Sequence, residues 1–175
     1  MALQDPTTLY KDSTVYNYRL MMRIHHSTYK TLSYFVVLAV ILTIANLNNT
    51  ILGIVVSYPL VLIMHSILVH FYLHFTRNKP IKGWSFRLEV FWTGVLPEGH
   101  APLQLIRKLH HHILWIGLAL IEGLYPWVTS AFVVDLALVH LWVLAPRLWM
   151  IFRFRPYRST GILKINAGET SCYTP

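Results

Sequence analysis

Ten histidines in 175 residues are the chain's densest supply of reactive side chains. His25 and His26 precede the first long apolar stretch, and His70 and His74 close the second. His100 follows, and His110, His111 and His112 open the third. On a helix, His70 and His74 project from one face, so their two imidazoles could chelate a metal. One or two rings of the 110–112 run could turn toward that pair, with Glu89 and Glu98 as the nearest carboxylates. Such a metal site would lie at the cytoplasmic face, within reach of a lipid-soluble substrate. The plainer role of these side chains is interfacial, with His110 to His112, Arg107 and Lys108 forming a basic surface toward lipid headgroups.

Two histidines lie deeper. His65 and His140 are about ten and about twelve residues from the ends of their apolar stretches, which places them at matching depth at ~1.5 Å per residue. Facing each other across a helical bundle, they could bind a b-type haem axially. The same pair could instead share a hydrogen bond that fixes the packing of two helices. Glu122 and Asp135 are the carboxylates within the last apolar region, and a carboxylate inside a span is costly and a functional candidate by default. Glu122 is near enough to Tyr125 and Pro126 to reach the far interface, which makes Asp135 the stronger of the two.

The histidine layout resembles that of the membrane-bound di-iron desaturases and hydroxylases, which carry histidine boxes on the cytoplasmic face of helical hairpins. His70, Phe71, Tyr72, Leu73 and His74 match a first box of the H-x-x-x-H form. His110, His111 and His112 depart from the spaced H-x-x-H-H form, and no histidine follows residue 140, where a third box belongs. The resemblance implies iron as cofactor and oxidation as chemistry.

Helices must position these groups, and the charges say where the helices run. All 15 Lys and Arg residues fall within 11–30, 77–108 and 147–164. Residues 31–76 carry no charged side chain other than histidine, and 109–146 carry only Glu122 and Asp135. Each gap suits two membrane crossings, and the arrangement puts all positive charge on one side. The expected fold is therefore an all-α membrane bundle of four spans, at about 32–47, 51–75, 109–125 and 128–152, read as two hairpins. Both termini, the central loop 76–108 and a polar tail 153–175 are expected to be cytoplasmic. Residues 1–13 read as loosely held, and 14–30 as an amphipathic helix with Arg19, Arg23, His26 and Lys30 on one stripe. In the loop, 84–90 alternate apolar and polar residues, so a short strand or an extended interfacial segment competes with helix; with Trp84, Phe91 and Trp92 so close to the spans, a segment resting among headgroups is favoured.

Composition narrows the rest. Hydrophobic residues make up 55% of the chain and charged ones 13%, so the net charge of +8 speaks for topology and lipid rather than nucleic acid. One cysteine, Cys172, excludes an internal disulfide. No phosphate-binding loop, dinucleotide fingerprint or H-E-x-x-H motif is present. The leading expectation is a non-catalytic subunit or assembly component of a membrane complex. Trp84, Phe86, Phe91, Trp92, Arg107 and Lys108 would form its docking surface, toward lipid and other membrane subunits. A histidine-ligated oxidoreductase, with iron or haem, is the alternative. A bacterial inner membrane is the expected location, with organellar and endoplasmic reticulum membranes as alternatives.

Overall fold

The computed structural model describes residues 18–47, 50–77 and 83–174. The expectations for 1–13 and for the start of the amphipathic segment at 14–17 fall outside these residues. Four long helices dominate: α1 (Thr28–Leu47), α2 (Ile51–Arg77), α3 (Leu103–Gly123) and α4 (Ser130–Arg153). Three of them, α1, α2 and α4, are long and apolar enough to cross a membrane. The protein is thus a membrane protein with three candidate membrane-spanning helices. The third long helix, α3, is the exception. Its first three turns hold Gln104, Arg107, Lys108 and three histidines, and its buried positions form one stripe through Ile106, Leu109, His110, Ile113, Gly117 and Ile121.

The fold is not all-α. Among the described residues six strands lie outside the helices: β1 (Arg19–His25), β2 (Trp84–Leu88), β3 (Thr93–Pro97), β4 (His100–Pro102), β5 (Ile162–Asn166) and β6 (Glu169–Thr174). Four of them form an antiparallel sheet in the order β1-β6-β5-β4, and β2 and β3 form a separate hairpin. Two expectations are corrected here. The amphipathic helix is β1, because its backbone pairs with β6 from Arg19↔Thr174 to His25↔Glu169. The polar tail is the β5–β6 hairpin, closed through Ala167 and Gly168. In the central loop the short-strand alternative is the one found: it is β2, paired along its length with β3.

Helices and strands join tightly. Pro102 ends β4 at the edge of the sheet, where a missing N–H costs no ladder bond, and the next amide, Leu103 N–H, donates to Gly161 O at 2.9 Å. Between the sheet and the helix ends lies a core of Trp92, Leu96, Leu103, Ile106, Phe154, Leu163 and Cys172. Burial pushes the Cys172 thiol up to about 11, so it is a packing group rather than a nucleophile. A second core fills the bundle further from the sheet, from Ile54, Val61, Ile121, Leu136 and Val139. At the opposite end α3 turns into α4 over 124–129, and the Thr129 hydroxyl caps α4 by accepting from Phe132 N–H.

Candidate functional site

The interior of the bundle is polar where α2, α3 and α4 meet. α2 turns Ser57, Val61, His65, Val69 and Leu73 inward at four-residue spacing, so Ser57 and His65 share the buried face. α4 turns His140 and Arg147 inward seven residues apart. His140 fits because Gly117 of α3 lies against it; a Cβ at that position would collide with the imidazole.

His65 Nε2 and His140 Nδ1 are 2.8 Å apart, and His140 Nε2 is 3.3 Å from Leu114 O. One assignment satisfies both contacts with neutral rings: His140 Nε2–H donates to the carbonyl, and His65 Nε2–H donates to His140 Nδ1. A haem iron between them would need two metal–nitrogen bonds of about 2 Å each, hence roughly 4 Å between the nitrogens. The pair does not fit an axial haem in this arrangement. What it can do is lock α2, α3 and α4 together.

Closer to the sheet, His110 Nδ1 donates to Ile106 O at 2.8 Å, and its ring stands edge-on to Trp92 with centroids 5.6 Å apart. Arg147 is buried and donates through its guanidinium to Thr93 O of β3. Gly94 sits beside it at φ +127, a backbone conformation that favours glycine. Among the described residues no carboxylate pairs with Arg147; Tyr34 and Tyr58 lie within its electrostatic reach. Four buried polar atoms in this interior have no hydrogen-bond partner among the described residues: Ser57 Oγ, His65 Nδ1, His110 Nε2 and Arg147 Nε. Neither Ser57 nor Arg147 stood out in the sequence as an interior group. The readable signal for Arg147 is its seven-residue spacing from His140 on an apolar helix.

The remaining sequence candidates are dispersed. His70, His74, His111 and His112 are exposed. His112 packs against Tyr72 at 5.0 Å, which brings that one ring toward α2, while His111 accepts from Trp115 Nε1–H. Among the described residues no three His, Cys, Asp or Glu side chains are grouped to hold a metal ion. His110 is tied to its own helix, so the donors needed to complete a di-iron set around His70 and His74 are not assembled. Asp135 is buried against Gly53, with the Thr50 side chain in hydrogen-bonding reach, near the end of the bundle away from the sheet. Glu122 is exposed at the end of α3. Of the six docking residues, Phe86, Arg107 and Lys108 are exposed and Trp84 is half-buried, whereas Phe91 and Trp92 belong to the core. No family model matches the chain, and no curated protein or solved structure matches it either.

Proposed function

We propose that this protein is a non-catalytic component of a membrane complex, a small subunit or assembly factor whose sheet-side face docks a partner. The observation that carries this reading is the outer edge of β2. Among the described residues β2 pairs only with β3, and it presents Phe86 and Leu88 at 52% and 74% exposure outside the helices. An unpaired strand edge bearing apolar side chains is a template for another chain. Arg107 and Lys108 add positive charge among the exposed residues of the same end of the bundle. The buried His65, His140 and Arg147 then act as internal ties that hold the docking face to the helices.

We further propose a topology of four crossings. β1 leads into α1, β4 leads into α3, and β5 follows α4, yet all three strands lie in one sheet. Three crossings would place β1 and β5 on opposite sides of the membrane. If α1, α2 and α4 cross, α3 must cross with them, its polar turns lying at the sheet-side interface. Lys30, Arg107, Lys108 and Arg153 all fall at the sheet-side helix ends, which makes that side cytoplasmic by the positive-inside rule.

The test is gentle detergent extraction followed by separation by size. The native chain should elute within a larger assembly, and Phe86→Asp with Leu88→Asp should release it while leaving its helicity intact. Elution of the native chain as a stable monomer with no companion would sink the proposal.

A further inference from the structure

Between α1 and α4, next to the sheet, is a cleft of about 360 Å³, at the lower end of the range for small-molecule sites. Its lining is graded. On α1 it runs from Lys30 through Ser33 and Tyr34 to Val37, and on α4 from Trp149 through Pro146 and Ala145 to Trp142. The polar end therefore lies at the first turn of α1, beside the sheet, and the apolar end two turns deeper. The deep end is braced: Tyr34 and Trp142 stack at 4.4 Å, and Trp142 Nε1–H donates to Tyr34 O at 3.3 Å.

One charge marks the mouth. Lys30 Nζ donates to His25 O at 2.7 Å and lies 5.6 Å from the Trp149 ring centroid. Among the described residues it has no carboxylate partner. His26 lines the same end, but both of its ring nitrogens are engaged, with Ala167 O and Thr170 Oγ1. Among the described residues Lys30 is thus the only charged group in the lining. An apolar slot lying along two membrane helices, with an ammonium at the headgroup level, matches a molecule with an anionic head and a hydrocarbon tail. The volume suits one chain rather than a pair.

We propose that this cleft binds one acyl chain of an anionic glycerophospholipid from the surrounding bilayer, with the headgroup phosphate at Lys30. The site is separate from the β2 edge, so it stands whether or not a protein partner docks there. Native mass spectrometry of the detergent-purified full chain, mixed with phosphatidylglycerol or with phosphatidylcholine, tests it. One retained phosphatidylglycerol per chain is expected, in preference to phosphatidylcholine. Lys30→Gln should cut that preference about fivefold, the effect of one basic residue at a membrane surface. Ala145→Trp and Val37→Trp fill the slot from exposed positions and should abolish retention with helicity unchanged. If either tryptophan variant does not fold, the other and Lys30→Gln decide the matter. Equal retention of both lipids overturns the proposal, as does lipid retention that survives the tryptophans. A slot occupied only by detergent, or by a peptide of another protein, overturns it as well.

Discussion

A neutral imidazole carries one donor and one acceptor, so each tie made by a buried histidine dictates the next. His26 shows this outside the spans. Its Nδ1–H donates to Ala167 O, its Nε2 accepts from the Thr170 hydroxyl, and Thr170 Oγ1 accepts in turn from Trp92 Nε1–H. Burial depresses the His26 pKa below its ordinary 6.5, against weaker raising influences from Ala167, Glu89 and Glu169. The unfolded chain then binds this proton at a higher pH than the folded one does. Its contribution to stability is complete above about pH 6.5 and is lost as the pH falls toward the depressed folded value. Thermal unfolding at pH 7.5 and 5.5 should show a smaller acid-induced drop for His26→Gln than for the native chain; equal drops would refute the assignment. At this scale the sequence was partly legible. His65 and His140 could be matched by depth, and a hydrogen bond was one of two readings of that match. Arg147 was not recognised, because a basic residue near the end of a span reads as interfacial until the packing of β3 closes over it.

Among the elements, close approach is controlled by glycines. Gly117→Ala would drive a methyl group into the His140 ring, breaking its contacts with His65 and Leu114. Overpacking of this kind costs about 1–3 kcal/mol, so chemical denaturation should show a loss in that range. Gly123→Ala, at a position with open space around it, is the matched control; equal stability of the two variants would remove His140 as a tie. The helices were legible because their signal is local, a long run without charge. The strands were harder. Arg19, Arg23, His26 and Lys30 repeat at three- and four-residue steps, so the segment imitates a helix, and the partner that makes it a strand is β6, far along the chain. β5 and β6 did carry a local signal. Two short runs flank Ala167 and Gly168, and Leu163 and Ile165 alternate with Ile162, Lys164 and Asn166. The charges of that region, read as a tail, masked it.

For the whole molecule, four crossings would put the α3–α4 turn and the sheet on opposite sides of the membrane. Cysteine placed at Trp127, 78% exposed in the α3–α4 turn, should react with a membrane-impermeant maleimide from the side opposite the sheet. Cysteine at Ser159, exposed between α4 and β5, should react from the sheet side. The native Cys172 is buried and contributes no background until the protein is denatured. Labelling of both positions from the same face of oriented vesicles would break the four-crossing topology. Composition and charge pattern gave the membrane class. They could not give the pairing of β1 with β6 or of β4 with β5, whose partners lie far apart in the chain.

The pairing of β1 with β6 also sets an order of events during synthesis. Arg19 leaves the ribosome long before Thr174, its partner in the ladder. At roughly 5–20 residues per second the wait is on the order of ten to thirty seconds. Through that interval α1 and α2 can already be in the bilayer while the first strand has no neighbour. The sheet is therefore the last part of the protein to close, and β1 is open to chaperones or to another chain until β6 arrives.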